Sequence, residues 1–158
     1  MFGLGSPLVA MVGTSIGAGR REQALRSAWT GAAIAFVLTE TIGLLAAAHP
    51  TAWLGLFDKD PDMLAAGAQY LRIVGPCYGL FGLGMALYFA SQGAGRLRWP
   101  LTAAATRFVI AAGGGWVVFR LTNDLVHVFL ALAVALSAFG AINAAAVAAG
   151  VWFDRPAR

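Results

Sequence analysis

An all-α bundle of about five membrane-spanning helices is what this sequence predicts, and three observations predict it. Long apolar stretches fill the chain, and its few charges fall almost entirely in the gaps between them. The longest, residues 27–48 (SAWTGAAIAFVLTETIGLLAAA), contains one ionisable residue, Glu40. A bilayer core about 30 Å thick needs roughly 20 apolar residues at about 1.5 Å rise each. Charged residues are 11% of the 158, against about 25% in a soluble domain, too few to build a water-facing surface.

The elements follow in order. The first helix is expected over residues 1–18, ending in the turn Gly17-Ala18-Gly19, where left-handed glycine and the cations Arg20 and Arg21 suit a C-terminus. The glycine-rich opening has no basic leader, so it reads as the end of a membrane helix rather than a cleaved signal. The second helix covers residues 22–48 and stops at His49-Pro50. An aqueous loop with Asp58, Lys59, Asp60 and Asp62 follows, and Asp60-Pro61 has the form of an N-cap with proline at the first helical position. The third helix, residues 61–92, begins amphipathic with Gln69, Tyr70 and Arg72, and Gly75-Pro76 predicts a kink inside it. The fourth covers residues 100–119 and the fifth residues 125–153, leaving residues 154–158 as a polar tail. Trp99 belongs at interface depth.

The net charge of +4 comes from arginines scattered through short loops, not gathered on one face, which argues against nucleic acid as a partner. The cations carry topology information instead. Arg20, Arg21 and Arg26, then Arg96 and Arg98, then Arg155 and Arg158 alternate with the poorer loops that hold Lys59 and Arg120. That alternation suits five crossings with the C-terminus and the loops near 20 and 95 in the cytoplasm, a multi-pass protein of the cell membrane. The lone Cys77 excludes an intrachain disulfide or a cysteine-based metal site and reads as a small buried packing residue. An odd number of spans starting outside suggests the distal part of a larger transporter.

Two passages carry a resemblance. Residues 7–26 read PLVAMVGTSIGAGRREQALR and residues 70–100 read YLRIVGPCYGLFGLGMALYFASQGAGRLRWP. The first resembles the VGxxxGAGxxxxA stretch of the multidrug and toxic compound extrusion (MATE) family, through Gly13, Gly17 and Gly19. The second resembles that family's QGxGxxxxP helix exit, through Gln92, Gly93 and Gly95, and the intervening LFDKDPDM resembles its outer loop. The resemblance spans nearly the whole chain. It implies a two-lobed, twelve-helix transporter of which this chain matches the eighth to twelfth helices, with the N-terminal lobe as a missing partner. It further implies a bilayer setting, small organic and possibly cationic substrates, no cofactor, and Na⁺ or H⁺ as coupling ion. Many family members place an acidic residue in the helix corresponding to residues 76–92; here that segment, PCYGLFGLGMALYFASQ, has none. GAGR occurs at residues 17–20 and again at 93–96, which reads either as two glycine C-caps or as a repeat remnant.

The candidate pathway residues are Glu40, Tyr78, Phe81 and Arg107. A carboxylate near a helix centre costs about 2.5–3.5 kcal/mol on insertion scales, so it faces protein or a water-filled path. Glu40 therefore reads as a protonation or cation site, or as a glutamate steadied by Thr39, Thr41 or a neighbouring helix. Arg107 is expected to snorkel to the cytoplasmic interface; pairing with Glu40 or binding an anionic substrate from a cavity are its other readings. Tyr78, Phe81 and Tyr88 approximately share a stripe that either lines a cavity for flat cationic drugs or faces lipid. Gly113-Gly114-Gly115, Gly140 and Ala144 are expected to bring helices close, and Asn143 to hydrogen-bond between helices.

Enzyme signatures are missing: His49 and His127 stand alone, with no HExxH, no acidic pair, no nucleophile elbow and no phosphate-cradling loop. The resemblance favours secondary active efflux of drugs or organic cations by antiport and alternating access. A lipid or polysaccharide flippase of similar architecture, and a small non-transporting membrane subunit, are the competing readings.

Overall fold

The computed structural model describes residues 2–57 and 59–153. The tail, residues 154–158, and Asp58 of the acidic loop lie outside the described residues. Among the described residues every regular element is a helix: α1 (Phe2–Gly17), α2 (Arg21–Ala48), α3 (Pro50–Leu54), α4 (Pro61–Val74), α5 (Tyr78–Gly93), α6 (Arg98–Phe108), α7 (Gly115–Thr122) and α8 (Leu125–Ala148). A 3₁₀ turn, Gly75–Cys77, joins α4 to α5, and a π-helical stretch, Val109–Gly114, joins α6 to α7.

Among the described residues, four continuous helical stretches are long and apolar enough to cross a bilayer: Arg21–Ala48, Pro61–Gly93, Arg98–Thr122 and Leu125–Ala148. The expected count was about five. Helix α1 has 16 residues, a length of about 24 Å at about 1.5 Å per residue, short of a full hydrocarbon core. The last helix ends at Ala148 rather than near 153, because Gly150 takes a positive φ of 75° and turns the chain. The outer loop is not wholly irregular: Pro50 stops α2, since the residue before proline is pushed out of the helical region, and then opens the short α3. Asp60 caps α4, accepting a hydrogen bond from the Asp62 N–H at 2.9 Å.

Side-chain size is distributed opposite to a water-soluble bundle. Along α2, Ala24, Ala28, Ala32 and Ala35 are buried, while Ile34, Val37, Leu38, Ile42 and Leu45 point outward. Lipid tails are as apolar as leucine, so large side chains gain nothing by hiding, whereas small ones let backbones approach. Helix α5 sits at the centre against α1, α2 and α8. Its crossings fall at glycines: Gly75, just before α5, meets Gly43 of α2, and Gly84 meets Gly140 of α8. In both pairs a Cβ on one partner would collide with backbone or ring atoms of the other helix. Gly113 and Gly114 do the reverse of what their composition suggested: no atom lies within 4 Å of a Cβ built there. They lie in the π-helical stretch, facing open space rather than bringing helices together. The α6–α7 arm packs mainly on α8.

The two GAGR segments are the same cap. Gly19 (φ 72°) and Gly95 (φ 68°) are left-handed, the Arg20 N–H donates to the Ser15 carbonyl at 2.8 Å, and the Arg96 N–H donates to the Ser91 carbonyl at 2.9 Å. This six-to-one bond defines the Schellman motif. Both caps lie at one end of the bundle, because Gly13 of α1 packs against Gly93 of α5. The segment after α8 returns to that end: the Trp152 indole donates to the Ser91 hydroxyl at 3.1 Å, and the Arg21 guanidinium lies 4.9 Å from the Phe153 ring centre. Among the motif residues, Gly13 and Gly93 thus serve packing, Gly19 and Gly95 serve turning, Gly17 faces open space, and the exposed Gln92 gives its carbonyl to the Gly95 N–H.

Candidate functional site

The site is built where the third apolar stretch breaks. Pro76 has no N–H and its ring disfavours a continuous helix, so the chain tightens into a 3₁₀ turn and starts again at Tyr78. A helix start exposes N–H groups that no earlier carbonyl of the helix can satisfy. In the apolar setting of a membrane such a group needs a partner from elsewhere. Glu40, on α2, supplies it: Oε2 accepts the Gly79 N–H at 2.7 Å. The carboxylate caps α5 from another helix and faces the positive end of its dipole. Glycine at 79 permits this, because a Cβ there would stand 2.5 Å from the same oxygen. Thr39 and Thr41 play no part in holding Glu40; their hydroxyls donate to the Ala35 and Val37 carbonyls of their own helix, each at 2.7 Å.

An apolar cavity of about 370 Å³ opens beside this cap, lined by Thr39, Ile42, Tyr70, Tyr78, Phe81 and Leu136. Tyr78 and Tyr70 come from opposite sides of the break, and the Tyr78 hydroxyl donates to the Tyr70 hydroxyl at 3.3 Å. Tyr70 stands edge-on to Phe129 of α8, with ring centres 5.5 Å apart. Phe81 tilts against Phe139, at 5.8 Å. The aromatic stripe of Tyr78, Phe81 and Tyr88 is therefore redrawn. Tyr70 takes the third place, and Tyr88 pairs with Phe89 at 5.9 Å, away from the cavity lining. The 3₁₀ turn changes the register of Tyr70 against Tyr78, which a single helical wheel cannot represent, whereas Tyr88 lies about two turns beyond Phe81 on α5 itself.

Arg107 packs against aromatic rings of two neighbouring helices. Its guanidinium carbon lies 5.3 Å from the Phe81 ring centre and 5.4 Å from that of Phe139, so the side chain reaches inward toward α5 and α8. Glu40 and Arg107 form no ion pair among the described residues. Of the four pathway candidates, Tyr78 and Phe81 line the cavity. Glu40 caps the helix next to Tyr78, and Arg107 covers Phe81. Gly79 and Phe139 escaped the sequence reading; the glycine-rich run after Pro76 was the available signal for the first, and nothing marked the second.

Asn143 is buried, but its amide donates to the Phe139 carbonyl of its own helix at 2.9 Å rather than across helices. Cys77 is half-buried at the break rather than fully enclosed. A larger open groove of about 970 Å³ runs between α1 and α2, with Arg20, Arg21 and Arg26 at one end and Leu8, Met11 and Ile34 at the other. None of the pathway candidates lines it.

A family model described as MatE matches residues 1–117 of the chain. No curated protein and no solved structure matches it.

Proposed function

This chain belongs to the MATE family, whose members are membrane transporters and not enzymes, and from that premise we propose that it forms one lobe of a secondary active exporter. The lobe works in the cell membrane with the arginine-rich end of the bundle toward the cytoplasm, and it faces a second, N-terminal lobe across the transport path. Small flat organic compounds, drugs among them, pass along the aromatic cavity. Na⁺ or H⁺ moves in exchange, with Glu40, bonded to Gly79 beside the lining residue Tyr78, as the acid group involved.

One observation carries this reading: an aromatic cavity sits at a discontinuous helix whose restart is capped by a carboxylate from its neighbour. Broken membrane helices put unpaired backbone groups and charge at mid-membrane depth, where substrates and coupling ions are handled. Capping by a titratable side chain makes the break responsive to protonation or cation binding.

The test is efflux from bacterial cells expressing the gene in its natural reading frame and loaded with ethidium or a fluoroquinolone. Lower accumulation than in control cells, restored by a protonophore or by Na⁺ removal, is expected. Accumulation equal to the control for both compounds, or efflux indifferent to both ion gradients, overturns the reading.

A further inference from the structure

Arg107 is the tenth residue of the 25-residue stretch Arg98–Thr122, about 13 Å from its start at about 1.5 Å per residue. The stretch is long enough to cross a hydrocarbon core about 30 Å thick, and Arg107 lies about a third of the way along it. The half-buried side chain is held there by two phenylalanine rings and makes no hydrogen bond or ion pair among the described residues. Ring faces attract the positive charge, but they offer no acceptor for its N–H groups. A guanidinium carries five N–H donors in a planar fork matched to a carboxylate. Such donors within a membrane-spanning stretch call for an acceptor, and Glu40, the one acid inside the apolar stretch 27–48, is already bonded to Gly79.

Arg107 is not among the residues lining the aromatic cavity, but it stands against Phe81, which is. We propose that the cavity takes aromatic acids: the ring of the ligand lies against Tyr70, Tyr78 and Phe81, and its carboxylate pairs with the fork of Arg107. This rests on the exporter reading and narrows its substrate class. A phospholipid headgroup offers a phosphate but no ring to lie against Tyr70, Tyr78 and Phe81. A purely cationic aromatic meets a like charge beside Phe81 and binds more weakly.

The experiment measures equilibrium binding of three naphthalene probes to the full chain in phosphatidylcholine nanodiscs: 2-naphthoate, 2-naphthylmethylammonium and 2-methylnaphthalene. The expected result is at least tenfold tighter binding of naphthoate than of the ammonium. Arg107→Gln should erase that preference, and Arg107→Lys should keep part of it, because lysine retains the charge without the fork. Equal or tighter binding of the ammonium, or a naphthoate preference that survives in Arg107→Gln, overturns the inference. If the ammonium binds and ethidium displaces it while naphthoate does not bind, the acid preference falls and the exporter reading stands. If no probe binds and cells export no drug, both fall. Should Arg107→Gln not fold, the wild-type preference and Arg107→Lys decide the matter.

Discussion

The substitution Gly43→Ala should be among the most damaging single-methyl changes in this protein. Its new Cβ would be driven into the carbonyl oxygen of Gly75 and would lie 3.1 Å from both the Gly75 carbonyl carbon and the Tyr78 Cβ. A backbone carbonyl cannot rotate aside, so α2 must move away from the break as a body. Overpacking of this kind costs about 1–3 kcal/mol. The displacement also stretches the bond from the Gly79 N–H to Glu40, one helical turn from Gly43 and now 2.7 Å long. A hydrogen bond to a charged group contributes about 1.5–3 kcal/mol, part of which is lost with it. Together the expected loss is about 2–4 kcal/mol, or a fall in Tm of about 5–10 °C for a chain of this size. Gly113→Ala is the control: open space surrounds its Cβ, and alanine favours helix over glycine by about 0.5–1 kcal/mol. Thermal unfolding of both variants in the same detergent, followed by fluorescence-detected size exclusion, measures the difference. If Gly43→Ala melts with the wild type, or Gly113→Ala falls equally, the tight α2 crossing is wrong.

Three further outcomes are expected. Glu40→Ala strands the Gly79 N–H and should destabilise by about 1–3 kcal/mol, while Glu40→Gln keeps an acceptor and the fold but should lose ion-coupled efflux; indistinguishable melting curves for the two variants would contradict the capping role. Gly95→Ala forces a side chain into the left-handed region at φ 68°, costing about 1–2 kcal/mol, and Gly95→Asn should recover part of it because asparagine tolerates that conformation; equal stability of alanine and asparagine in a denaturant series would count against this. Trp152→Phe removes the bond to the buried Ser91 hydroxyl and should cost about 1 kcal/mol, read as increased protease sensitivity after Val147; unchanged cleavage would show that the segment docks by other means.

Much of this architecture was legible in the sequence because lipid selects composition residue by residue. A stretch such as 27–48 cannot be anything but apolar and still cross hydrocarbon, and arginines cannot sit anywhere but between such stretches or against a partner. Pro76 announced the break, Asp60-Pro61 announced a helix start, and GAGR announced two caps, since each acts through its own backbone neighbours. The site was less legible. Glu40 stood out as an intramembrane carboxylate, yet its partner is a backbone N–H 39 residues away, and a backbone group has no sequence signature.

The sequence by itself determined the solvent of this protein, the positions of its helices and the place where one of them breaks, because those depend on hydrophobicity and on local backbone chemistry. Only the tertiary structure decided what each isolated charge meets: Glu40 a helix start, Arg107 two aromatic rings. Interactions between helices depend on rotation and crossing position. A 3₁₀ turn at Gly75–Cys77 and a π-helical stretch at Val109–Gly114 shift both, and no periodicity in the chain records either shift.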